Sequence, residues 1–143
     1  MRNGRIGIKN RRRTGFTLVE IMIVVSIIAL LASLSIPIIL RARHNADEGA
    51  AQTSLKTICG ACVSYFGANE AYPDSLEQLA GEVPPYIDPV LASGSSSGYD
   101  FAYEPGDDGV SFTCTATPQV PGRTGTRIFV IDQSGLITES EEE

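Results

Sequence analysis

From Phe16 to Leu40 the chain is almost unbroken apolar sequence; Thr17, Glu20, Ser26, Ser33 and Ser35 are its only polar side chains. As a helix these residues extend roughly 37 Å at about 1.5 Å per residue. That exceeds the roughly 30 Å hydrocarbon core of a bilayer, so the stretch is long enough to span one. Beyond Leu40 the pattern becomes amphipathic. Leu55, Ile58, Cys59, Cys62 and Phe66 recur at helical spacings, and Asn45, Asp47, Glu48, Gln52 and Lys56 fall mostly on the other side. No proline interrupts residues 38–72, which predicts one long helix from about Phe16 to about Ala68. Pro37 lies inside it, where it removes a donor and crowds the carbonyl of Ser33, predicting a kink that Ser33 and Ser35 could ease.

Tyr72-Pro73 stops the helix. Asp74 or Ser75 can cap a short helix over residues 75–80, which Gly81 can end. Pro84, Pro85 and Pro89 predict an extended connection, and the Ser/Gly run at 93–98 a flexible loop. The last third alternates with period two. Tyr99, Phe101 and Tyr103 share one face, as do Val110, Phe112, Cys114 and Ala116, with residues 104–109 as the turn between two strands. Thr126–Ile131 reads as a third strand, and Asp132–Gly135 turns into a short fourth, Leu136–Thr138. An antiparallel sheet with one apolar face needs a cover, and the helix face at 55–66 can supply it. The expected class is α+β: a long N-terminal helix packed on a small C-terminal antiparallel sheet.

Charge changes the picture at one point. Six of the 11 Lys and Arg residues precede Phe16, whereas all 17 acidic residues follow Gly15, and the chain ends in three glutamates. A chain beginning at Phe16 would carry 5 basic and 17 acidic side chains, a formal charge of −12. Such a surface is a poor partner for nucleic-acid phosphates. The basic start before an apolar run places that start on the cytoplasmic side of a membrane. It also matches an ordinary secretory signal, with Ser33-Leu34-Ser35 as a cut site, and Arg12-Arg13 resembles a twin-arginine signal. Glu20 does not fit the first, the apolar run is too long and too hydrophobic for the second, and a plain membrane anchor leaves Glu20 and Gly15 unexplained. A carboxylate at the head of a membrane segment is costly and tends to have a function.

Gly15-Phe16-Thr17-Leu18-Val19-Glu20, preceded by Arg11–Arg13 and followed by the apolar run and Pro37, resembles the class III signal of type IV pilins and type II secretion pseudopilins. The resemblance covers residues 11–40 closely. Tyr72-Pro73-x-Ser75-Leu76 and the closing residues 125–137 are similar to the same proteins. One departure is Ala29, where related subunits often carry glycine. The resemblance implies a pilin-like fold with residues 1–15 as a cleaved leader and 16–40 as the transmembrane and assembly half of the helix. Residues 41–143 would form the head: helix continuation 41–70, connection 71–98, sheet 99–138 and acidic tail 139–143. It also implies cleavage after Gly15 by a prepilin peptidase and N-methylation of Phe16. The subunit would begin as a single-pass inner-membrane precursor among lipids. An assembly platform with a cytoplasmic ATPase would then draw it into a homopolymer, an extracellular or periplasmic filament. There Glu20 would meet the Phe16 amine of a neighbour, and an ion pair at that depth sets register more than it adds stability.

Cys59, Cys62 and Cys114 are the three cysteines. Cys59-x-x-Cys62 lies mid-helix rather than at the helix start a redox pair prefers, and His44 lies too far along the helix to complete a zinc site. A disulfide from Cys114 to Cys59 or Cys62 would staple sheet to helix, and the sequence leaves the choice open. Asp107-Asp108-Gly109 offers weak calcium ligands, similar to a loop of the major secretion pseudopilin, but such pairs also simply build turns. A calcium ion near 88–108 would favour the pseudopilin, and its absence with a disulfide the pilin. His44 stands among Arg41, Arg43 and Asn45 as a solvated side chain, Ser95–Ser97 have no partner base, and Gly122–Gly125 lacks the context of a phosphate loop. A structural subunit needing no cofactor is therefore expected, with a membrane-anchored enzyme or binding module as a remote alternative.

Overall fold

The computed structural model describes residues 15–141; the leader before Gly15, and with it most of the expected cleaved segment, lies outside the described residues, as do Glu142 and Glu143. Helix α1 covers Leu18–Asn69, as the apolar run and the amphipathic stretch together predict. Its C-terminus is closed by Glu70, whose φ of 59° puts it in the left-handed region while its N–H donates to Phe66 O at 2.8 Å. Asn69 Nδ2 donates to Tyr65 O at 3.1 Å, so the carbonyls of Tyr65 and Phe66 in the last turn both have local donors. Pro37 lies within α1, and the chain divides there into two compact units, one up to Ile36 and one from Pro37 onward.

In the second unit, α1 presents Glu48, Ala51, Leu55, Ile58, Cys62 and Tyr65 as a buried stripe. The spacings alternate three and four, the signature of one helix face. Two short helices follow, α2 (Leu76–Gly81) and α3 (Pro89–Ala92). Ser75, rather than Asp74, caps α2 by accepting from Gln78 N at 3.4 Å. The Gln78 side chain accepts from Asp74 N at 2.8 Å and donates to Tyr65 OH at 2.6 Å, which ties α2 to α1. Where prolines predicted only an extended connection, Asp88 caps α3 by accepting from Val90 N at 2.7 Å and Pro89 occupies its first turn. Proline suits that position because its missing N–H would have no partner there.

The sheet is an antiparallel meander of five strands in sequence order: β1 (Ser95–Ser96), β2 (Tyr99–Pro105), β3 (Phe112–Pro118), β4 (Arg127–Asp132) and β5 (Ile137–Glu141). The central register sets Phe101 opposite Ala116 and Tyr103 opposite Cys114, then Ala116 opposite Phe129 and Cys114 opposite Ile131. All but the half-buried Tyr103 are buried, and they join the α1 stripe and Leu76, Leu79, Ile87 and Leu91 in one core. Each fully buried Leu, Ile or Phe contributes about 1.5–3 kcal/mol.

Four expectations are corrected. The Ser/Gly run at 93–98 is not a flexible loop: Ser97 and Gly98, with φ of 52° and 78°, turn β1 into β2, and Ser96 pairs with Tyr99. Two consecutive positive φ angles are what a tight two-residue hairpin requires. Val110 does not join the inward face and is 54% exposed, because the turn continues to Ser111, whose carbonyl accepts from Gly106 N at 2.9 Å. The fourth strand of the sequence reading is longer than expected. As β5 it reaches Glu141, so part of the expected acidic tail 139–143 is paired sheet, with Glu141 opposite Arg127. Glu48 is not on the polar side of α1 but buried, at 4% exposure.

The carboxylate of Glu48 is fully partnered. Oε1 accepts from Thr126 N at 3.0 Å, and Oε2 accepts from Arg127 Nε at 2.9 Å and Nη2 at 2.5 Å. Arg127 Nη1 donates in turn to Glu139 at 2.8 Å, so one guanidinium joins α1, β4 and β5. Burial alone would raise the Glu48 pKa, but the Arg127 and Thr126 hydrogen bonds and the Arg127 charge outweigh it and hold it below the ordinary value. Its contribution to stability is thus present above the unfolded carboxylate pKa and lost as pH falls through the lowered folded one. Replacing Glu48 by alanine strands Arg127 and the Thr126 N–H, and denaturant melts of the full chain in detergent should show a loss of about 2–3 kcal/mol.

Tyr99 makes a second long-range tie, its hydroxyl donating to Arg127 O at 3.0 Å. Gly125 lies directly beneath that ring, and a Cβ there would collide with the hydroxyl and the ring carbons. Gly125→Ala should therefore cost about 1–3 kcal/mol in the same melts, whereas Gly60→Ala, which meets nothing, should not destabilise.

Candidate functional site: the Gly15–Phe16 junction and the apolar helix

Gly15, Phe16 and Thr17 are non-helical, and α1 begins at Leu18. The Phe16 side chain is 82% exposed. Gly15 has nothing near the position a Cβ would take, so the backbone on both sides of the Gly15–Phe16 bond is accessible. The junction is thus an exposed, non-helical peptide immediately before the helix.

Thr17 and Glu20 cap that helix reciprocally. Glu20 N donates to Thr17 Oγ1 at 3.2 Å, and Thr17 N donates to Glu20 Oε2 at 3.3 Å. This is a capping box, and Thr17-x-x-Glu20 is its sequence signature, which the register role alone does not require. The carboxylate sits where the helix dipole favours negative charge. The cap holds the Glu20 carboxylate against the backbone N–H of Thr17, one residue after Phe16, whose nitrogen cleavage after Gly15 would turn into an amine.

The other polar groups of the segment point back into it. Ser26 donates to Met22 O at 2.7 Å, Ser33 to Leu30 O at 2.8 Å and Ser35 to Leu31 O at 3.0 Å. Neither Ser33 nor Ser35 takes the Ser33 carbonyl that Pro37 leaves without a donor, contrary to expectation. Every large apolar side chain from Leu18 to Leu40 is exposed. The helix is long and apolar enough to cross a membrane. An apolar surface of this extent on a folded chain marks contact with lipid or with other protein.

The remaining candidates lie in the second unit. Cys59, Cys62 and Cys114 converge in the core, and all three are free thiols in this structure; the bond expected from Cys114 is not formed. Burial is the main cause that pushes Cys62 and Cys114 up to about 12; a Tyr103 hydrogen bond opposes it and Cys59 adds to it at Cys62, while Cys62 and Cys59 add to it at Cys114. At neutral pH almost no thiolate forms there, which suits packing rather than nucleophilic chemistry. Cys59 Sγ contacts Asp132 O at 3.8 Å. Asp108 serves its own turn, accepting from Val110 N at 3.0 Å and Ser111 Oγ at 2.7 Å, while Asp107 accepts no hydrogen bond among the described residues. No group of three His, Cys, Asp or Glu side chains fit to hold a metal occurs among the described residues.

Because the folded thiols bind protons more tightly than unfolded ones, their contribution is present below the unfolded value near 9 and lost toward about 12. Stability should therefore fall between those pH values. At pH 8, a thiol reagent should label Cys62 and Cys114 of the reduced chain only after denaturant is added, and prompt labelling of the folded reduced chain would contradict their burial.

Comparison with known proteins gives consistent relatives. Residues 10–36 match the model of the prokaryotic N-terminal methylation motif. The type II secretion system core protein G of Vibrio cholerae is 33% identical over 135 residues, covering 84% of this chain and 92% of that protein. The type IV major pilin protein PilA of Myxococcus xanthus is 36% identical over 75 residues, covering 52% of this chain but only 34% of its own length. A solved type IV pilin from Shewanella oneidensis is 21% identical with a TM-score of 0.44, covering 68% of this chain and 88% of that one.

Proposed function

The chain belongs to the type IV pilin and type II secretion pseudopilin family, and from that premise we propose that it is a filament subunit that polymerises through its N-terminal apolar helix. The observation that carries the reading is the wholly exposed apolar surface of Leu18–Leu40 behind an accessible Gly15–Phe16 junction. Prepilin peptidase cuts after Gly15 and Phe16 is methylated, leaving a charged amine at the new terminus. The helix rests in the inner membrane until an assembly platform with a cytoplasmic ATPase extracts it. In the fibre, helices exchange lipid for one another, and Glu20 reaches the Phe16 amine of a neighbour. A shift of register would leave that carboxylate unpaired in an apolar surround, which costs several kcal/mol by order of magnitude. Pro37 gives the helix a point at which to bend as it leaves the bilayer for the fibre.

Two destinations share this chemistry: an extracellular type IV pilus and the periplasmic pseudopilus of type II secretion. The match to core protein G along most of both chains favours the second. The staple from Cys114 to Cys59 or Cys62 is proposed for the exported, oxidised subunit, whose mass would then be two hydrogens lower than that of the reduced chain.

Mass spectrometry of the membrane-extracted chain should find a mature N-terminus at methylated Phe16; a start at Pro37 or an intact Met1 would defeat the proposal. Glu20→Ala should leave membrane insertion intact and abolish or slow fibre growth, and normal fibres would remove Glu20 from the mechanism.

A further inference from the structure

Arg41, His44, Asn45 and Glu48 on α1 and Thr126 and Arg127 at the start of β4 line a cavity of about 400 Å³. Glu48 brings Arg127 to it but offers the cavity little negative charge, because its oxygens are taken up by Thr126 and Arg127. Glu139 occupies the remaining arm of Arg127. Arg41, His44 and Asn45 make no side-chain hydrogen bond or ion pair with any described residue. The cavity wall is therefore dominated by donors, and its size is that of a small-molecule pocket.

Its place in the chain is as telling as its chemistry. Arg41 follows Leu40, the last residue of the apolar segment, and residues 41–45 make little more than one helical turn, an advance of about 5–7 Å. That is about the thickness of the headgroup layer on one side of a bilayer, roughly 5–7 Å. Arginine on the translocated flank of a membrane span runs against the usual distribution of basic residues. A guanidinium paired with an imidazole and an amide suits a phosphate oxygen at that level.

We infer that this cavity binds the phosphate of an anionic phospholipid headgroup while the subunit waits in the membrane. The inference rests on the proposed function in one respect, that residues 16–40 occupy a bilayer before assembly. Arg41 contacts the phosphate, and His44 and Asn45 donate to it from the same turn. Arg127, held by the Glu48 and Glu139 carboxylates, shapes the wall. Arg43 is exposed at the same level but outside the cavity, which makes it an internal control of equal charge.

The test uses the full chain. Co-flotation with neutral phosphatidylcholine vesicles first checks membrane residence; failure to float would remove the anchor reading and this inference together. The floating protein, transferred to a neutral detergent, is then titrated with phosphatidylglycerol or phosphatidylcholine and bound lipid is counted by native mass spectrometry. Preferential retention of phosphatidylglycerol is expected, weakened about fivefold or more by Arg41→Gln, since one surface arginine is worth about 1 kcal/mol toward an anionic membrane. Arg43→Gln should weaken it less. Equal retention of the two lipids, or equal losses from Arg41→Gln and Arg43→Gln, would overturn the site while leaving the anchor intact. So would self-association that depends on Arg41 and persists in excess phosphatidylglycerol, which would assign the cavity to an acidic group of a second copy.

Discussion

An apolar helix surface that its own compact unit leaves uncovered is the constraint from which the rest follows. From Leu18 to Ile36 no described residue of that unit shields the large side chains, and the segment's serines satisfy themselves on the preceding turn. Only Glu20 offers outward chemistry, and the reciprocal cap with Thr17 partly satisfies it. The cap gives one carboxylate a role in both proposed settings. In lipid it completes the helix start, and in a fibre it stands beside the terminus that a neighbour's carboxylate must find. Hydrophobic burial is non-directional, so the polar group at the helix start is what can select one packing among many.

The second unit depends on the same helix in a different way. The stripe from Glu48 to Tyr65 alternates threes and fours and meets the apolar face of a meander whose register places Ala116 and Cys114 at its centre. Small residues at those two sites leave room for the helix side chains. Glu48, Arg127 and Glu139 join helix, fourth strand and edge strand. The arrangement leaves β5 at the sheet edge carrying Glu139, and a charged edge discourages pairing with a stray strand.

Much of this was legible in the chain. The unbroken apolar run, the helical spacing from Leu55 to Phe66 and the alternation around Phe101 and Phe112 each encode one element in one period, and each element formed. Glu48 was misread because polarity was taken as a guide to its face, although its spacing to Ala51 and Leu55 already placed it on the buried one. Its partner Arg127 lies 79 residues away, and no local pattern links them. The hairpin at Ser97-Gly98 and the helix at Asp88-Pro89 were hidden by composition: serine and glycine read as linker, and prolines as extended chain. Both carry specific signals, a pair suited to positive φ and a capping aspartate before proline. The capping box at Thr17 was present as a motif but overshadowed by the more unusual glutamate within it.

The most direct test of the account is a density map of the assembled filament at side-chain resolution. The account predicts the side chains of Leu18–Leu40 packed helix against helix in a dry centre, with each Glu20 carboxylate within about 4 Å of the Phe16 nitrogen of an adjacent subunit. Helices facing water, or Glu20 carboxylates far from every neighbouring Phe16 nitrogen, would contradict it.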